Sequence, residues 1–169
     1  MKKLLLMRHA KSDWQESGLK DFDRPLNDRG KKDAPRMGKF LQQIDNLPGM
    51  ILASSAKRVQ ETIEGVTSKW EHRPEIVYVD ELYSGSYRGY IEIIQTKSKP
   101  IDHLMIVGHN PTIEETAAAI CSGSNAHNVF VFPTAAIACF EISVHSWSRL
   151  KRGGGDLKWF MIPKLLKKL

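Results

Sequence analysis

Short apolar runs alternate along this chain with longer stretches in which apolar residues recur every three or four positions. The runs Leu4-Leu5-Leu6-Met7, Met50-Ile51-Leu52 and Leu104-Met105-Ile106-Val107 have the length and continuity of strands buried on both faces. Strands are expected near residues 3–8, 49–53, 76–79, 103–108, 135–143 and 157–162, and helices over about 28–45, 56–71, 88–97 and 111–121. This alternation predicts an α/β fold with a mostly parallel central sheet and helices on both faces, in one domain over residues 1–169. In the first helix Ala34, Met37, Phe40, Leu41 and Ile44 form a core-facing stripe. Asn27 is placed to cap that helix, and Pro35 predicts a kink or a break in it. Lys11 to Leu26 lacks apolar periodicity and reads as a loop, and Gly153-Gly154-Gly155 as a flexible joint before the last strand.

Composition narrows the class without naming a function. A chain of 169 residues can bury a core without staples. Cys121 and Cys139 lie far apart with no metal-ligand spacing, so two reduced, mostly buried thiols are expected and neither zinc nor a disulfide framework. The first apolar run is too short for a secretory segment and no stretch is long enough to span a membrane, which predicts a cytoplasmic protein. The net charge of +6 is localised: the first 148 residues balance 18 basic against 18 acidic side chains, and residues 149–169 hold seven basic residues against Asp156 alone. No nucleic-acid module accompanies that tail, so it reads as a solvated face with no nucleic-acid partner.

The chemistry is carried by three strand ends. Arg8-His9-Ala10 follows the first run, Ser54-Ser55-Ala56-Lys57-Arg58 the second, and Gly108-His109-Asn110-Pro111 the third. Open α/β sheets bind ligands at the carboxyl ends of their parallel strands, where two arginines and two histidines would converge here. That combination suits a phosphate.

These fragments, with Arg8-His9-Ala10-Lys11-Ser12, Asp23-Arg24-Pro25-Leu26-Asn27-Asp28-Arg29-Gly30, Ser54 to Thr62 and Glu81-Leu82-Tyr83, resemble the histidine phosphatase superfamily in its short, SixA-type phosphohistidine phosphatase form. The resemblance covers nearly the whole chain and implies a phosphoglycerate mutase-like fold. Ala10 stands where the best-known motif, Arg-His-Gly, has glycine.

What the resemblance implies for each residue follows from phosphoryl-transfer chemistry, which needs an in-line nucleophile and positive donors around the equatorial oxygens. His9 would be the nucleophile, and Arg8 and Arg58 would clamp the phosphate. His109 would add a donor at a helix mouth that Asn110 caps and Pro111 begins. Ser12 and Asn110 would make lesser oxygen contacts. Glu81 best matches the family's general acid, with Asp80, Asp13 and Asp23 as alternatives, and a protonated acid implies activity that declines on the alkaline side. No metal or cofactor is implied. A short chain without large insertions implies an open site, hence a phosphohistidine-bearing protein as substrate. The alternatives are a small phosphate ester and a non-catalytic phospho-ligand binder.

Overall fold

The computed structural model describes residues 1–123 and 129–167. Its strands are β1 (Lys2–Arg8), β2 (Met50–Ala53), β3 (Glu75–Tyr78), β4 (His103–Gly108), β5 (Ile137–Ile142) and β6 (Gly155–Met161). Its helices are α1 (Asp28–Gln43), α2 (Lys57–Thr67), α3 (Glu81–Ser84), α4 (Tyr87–Lys97), α5 (Thr112–Ser122) and α6 (Pro163–Leu166). The strands form one sheet in the order β3-β2-β4-β1-β5-β6, in which β5 alone runs antiparallel to its neighbours. The mostly parallel sheet expected from the alternating pattern is the one observed.

Period-two alternation decides which helix layer each strand residue meets. Leu4, Leu6, Leu52, Leu104 and Ile106 point into one buried cluster with residues of α4 and α5, whereas Leu5, Met7, Ile51, Met105 and Val107 point into the other, with residues of α1 and α2. Both faces are therefore dry, and the strand ends are the places left open. No helix among the described residues is long and apolar enough to cross a membrane.

Several local expectations change. α1 runs unbroken through Pro35, whose ring lies against Gly65 of α2, and Asn27 caps it by accepting from the Gly30 amide at 2.9 Å. Gly38 lets α1 and α2 cross closely, since a Cβ there would collide with the Val66 backbone. Ile44 ends outside the helix and is exposed, so it does not join the stripe. Cys121 is exposed on the last turn of α5; Cys139 alone is a buried thiol. The triple glycine is a packed turn: Gly153 takes φ +71° and donates to Ala119, and Gly155 already belongs to β6, under Ile120 and Ile142. The described part of the basic segment carries its exposed lysines, Lys158, Lys164 and Lys167, on β6 and around α6, which packs on α1.

Candidate active site

Parallel register brings the chemistry together. Arg8 pairs with Gly108 and Ala53 with Val107, so β1, β2 and β4 end side by side and deliver Arg8-His9, Ser54 and His109 to one edge. Arg58 joins them from the first turn of α2, which starts four residues after β2 ends. A cleft of about 520 Å³ opens there, lined by Arg8, His9, Ser12, Arg58, His109 and Asn110, and further by Lys11, Trp14, Asp21, Tyr83, Ser84 and Thr134. Ala10 is buried, donates its amide to Thr62 Oγ1 at 3.0 Å and needs no left-handed backbone, so the missing glycine is accommodated.

Hydrogen bonds assign the imidazole protons. His9 Nδ1 lies 2.7 Å from the Ala10 carbonyl, which can only accept, so Nδ1 carries the hydrogen and Nε2 carries the lone pair. That lone pair accepts from Arg58 Nε at 3.3 Å. A second nitrogen of the same guanidinium donates to His109 Nδ1 at 3.3 Å, which leaves the His109 Nε2 hydrogen to donate to Ser54 Oγ at 2.8 Å. Both rings are buried, and burial is the main reason each is hard to protonate: His9 is pushed down to about 3 and His109 to about 4. The nearby arginines and, for His9, the neighbouring His109 push in the same direction, against the Ala10 carbonyl for His9 and Asp21 for His109. At neutral pH both are uncharged.

Arg8 donates to the Phe132 carbonyl at 2.8 Å, while its buried Nε has no partner. An orphaned cationic donor in a basic cleft is where an anion oxygen fits.

The carboxylate at the cleft is Asp21, from the 3-10 turn Asp21–Asp23 in the 11–26 loop, although Asp13 and Asp23 are the acids the sequence singles out there. Its Oδ2 accepts from Tyr83 Oη at 2.7 Å and from Arg58 at 3.0 Å, and its backbone carbonyl accepts from Arg58 at 2.6 Å. The Tyr83 hydrogen bond, with help from Arg58 and Arg24, holds the Asp21 carboxyl below its ordinary range. Nothing in the aperiodic loop marks residue 21. Tyr83, by contrast, belongs to the Glu81-Leu82-Tyr83 fragment.

Other expected residues fall differently. Glu81 is exposed at the start of α3 and lies outside the cleft lining, and Asp80 accepts from Ser55 Oγ. Asp13 accepts from the Gln15 amide and lines a neighbouring groove. Asn110 does not cap α5: its amide nitrogen ties Glu114, at 2.7 Å, to the Phe132 carbonyl, at 3.1 Å, so it braces the strap that holds Arg8. Ser12 is buried and pairs with Leu26 across the loop.

Comparison with known proteins places the chain in a family. The model of the histidine phosphatase superfamily, branch 1, matches residues 4–105. The chain belongs to the histidine phosphatase superfamily. An uncharacterised chloroplastic protein of Arabidopsis thaliana is 34% identical over 133 residues, 73% of this chain, which spans 61% of that relative's length. An uncharacterised Mycobacterium tuberculosis protein is 31% identical over 166 residues, covering 94% of this chain and all of the relative. Among solved structures, a candidate phosphohistidine phosphatase SixA of Agrobacterium tumefaciens superposes with a TM-score of 0.79 at 29% identity, over 96% of this chain and 98% of that one. In this superfamily the chain is a phosphatase of SixA-like form.

Proposed function

We propose that the protein is a metal-independent phosphatase that removes phosphate from phosphohistidine carried on another protein, through a covalent intermediate on His9. The observation that carries this reading is the protonation pattern of the cleft. Its nucleophile is a neutral imidazole with the lone pair on Nε2, and the one carboxylate among its lining residues is held ionised. A leaving group there receives no proton from a cleft carboxylic acid at neutral pH. An alkyl alkoxide needs that proton, whereas the ring-protonated imidazole of phosphohistidine departs neutral without it.

In the first step His9 Nε2 attacks phosphorus as the bond to the substrate imidazole nitrogen breaks, and the electron pair leaves with the neutral ring. Arg8 Nε and Arg58 bear the equatorial oxygens, with positive charge supplied by side chains rather than by a metal. Water then attacks phospho-His9 and releases inorganic phosphate and the free imidazole. Asp21 holds two nitrogens of Arg58, one with its carboxylate and one with its backbone carbonyl, so an arriving phosphate competes with Asp21 for the guanidinium.

A comparison of kcat/KM in the presence of a chelator tests the proposal, with a phosphohistidine protein run beside a panel of alkyl and aryl phosphates. The phosphohistidine protein should exceed alkyl phosphates by at least about 10²-fold, the usual worth of a missing general acid. Rapid turnover of a small alkyl phosphate with no action on phosphohistidine would transfer the assignment to a small-molecule phosphomonoesterase.

A further inference from the structure

The basic C-terminal segment ends beside the cleft. α6 rests on α1 and brings Lys164 and Lys167 next to Arg29, and these three cations, with Pro133, Thr134, Ile162 and Pro163, line a second cleft of about 400 Å³. Its floor holds Asp33, which is 2% exposed. Asp33 Oδ1 lies 2.5 Å from Arg36 and 3.7 Å from Lys167 Nζ, and Oδ2 lies 3.4 Å from Arg29 Nε. One buried carboxylate thus gathers cations that outnumber it, and the cleft keeps a positive excess. Thr134 joins the two sites, because it lines both clefts and accepts from Arg29 at 3.3 Å. The basic cleft therefore adjoins the proposed phosphate site, with Thr134 between them.

We propose that this cleft docks acidic side chains of the phosphohistidine-bearing substrate, reading carboxylates that flank the phosphorylated residue. The inference rests on the functional reading above and adds the partner's chemistry to it. A small phosphate ester held by Arg8 and Arg58 has nothing to place beyond Thr134, so only a larger substrate can use both clefts. Arg29, Lys164 and Lys167 offer charge to its carboxylates, and Pro133, Ile162 and Pro163 offer apolar surface to the aliphatic stems. Because the three cations are exposed, their attraction acts on encounter and weakens as salt shortens the screening length.

Two synthetic phosphohistidine peptides of equal length test this, one flanked by Asp and Glu and the other by Ser and Gly. At low ionic strength the wild type should favour the acidic peptide roughly tenfold in kcat/KM, and high salt should erase the preference. Lys164→Glu/Lys167→Glu should abolish or invert it while an activated aryl phosphate is hydrolysed at the wild-type rate. The neutral Lys164→Gln/Lys167→Gln pair should abolish it too, and serves if the reversed charges near Asp33 impair folding. Equal turnover of the two peptides by the wild type, or a preference that survives the neutral variant, overturns the docking proposal. If the wild type ignores both peptides yet hydrolyses the aryl phosphate, the phosphohistidine reading itself fails, and docking falls with it.

Discussion

Arg58 Nε donates to His9 Nε2 at 3.3 Å, so the guanidinium proposed to clamp phosphate also holds the lone pair proposed to attack it, and must release that lone pair as it turns to the phosphate oxygens. The same fork reaches His109 and Asp21, which makes Arg58 the common partner of both cleft histidines and of the one carboxylate among the cleft's lining residues.

Arg58→Ala should therefore cost more than a charge. A positioned donor to a developing charge is worth about 10²–10³ in kcat, and Arg58 also donates to His109 Nδ1, whose tautomer it helps to fix. Arg58→Lys keeps the charge without the planar fork and should recover only a small part. Single-turnover rates on a phosphohistidine peptide check both variants, with circular dichroism to confirm the fold.

The pH dependence follows from the depressed histidines. His9 and His109 titrate at about 3 and about 4 in the folded protein, below the ordinary value of about 6.5. The unfolded chain thus binds more protons across this window. Their contribution to stability is complete above about pH 6.5 and is lost as pH falls toward 4 and 3. Denaturant titrations should show this loss, flattened in a His9→Asn/His109→Asn variant. Free-enzyme activity should likewise lose nothing to His9 protonation until pH approaches 4; a fall centred near 6.5 would contradict the burial argument.

Asp21→Asn should tighten inhibition by inorganic phosphate or tungstate several-fold, because the anion no longer competes with a carboxylate for Arg58. Glu81→Gln should leave phosphohistidine turnover nearly unchanged, since Glu81 stands outside the cleft. Inhibition constants and kcat/KM for the two variants separate a counter-ion from an acid.

Gly38→Ala should destabilise the fold by about 1–3 kcal/mol through overpacking, because the Val66 backbone occupies the space of the new methyl. The shift in the urea midpoint measures it, with the m-value unchanged.

What was legible in the sequence was whatever periodicity controls. Leu4 and Leu6 face one helix layer and Leu5 and Met7 the other, so a continuous apolar run announces a strand buried on both faces and its end announces Arg8 and His9. The same logic placed His109 and Arg58. Contacts made by irregular chain were not legible: Asp21 and Thr134 reach the cleft through loop geometry that no period encodes. Asn110 has the composition of a cap, but its amide is taken by Glu114 and Phe132. The charge of the last segment was visible, whereas its position beside the cleft depends on β6 turning into α6 against α1.

The most direct test of the central claim is where the phosphoryl group resides during turnover. Rapid mixing with a labelled phosphohistidine peptide, alkaline quench and peptide mapping should place one label on His9, with no label and no turnover in His9→Ala. Label on another residue, or substantial turnover by a folded His9→Ala variant, would contradict the covalent scheme.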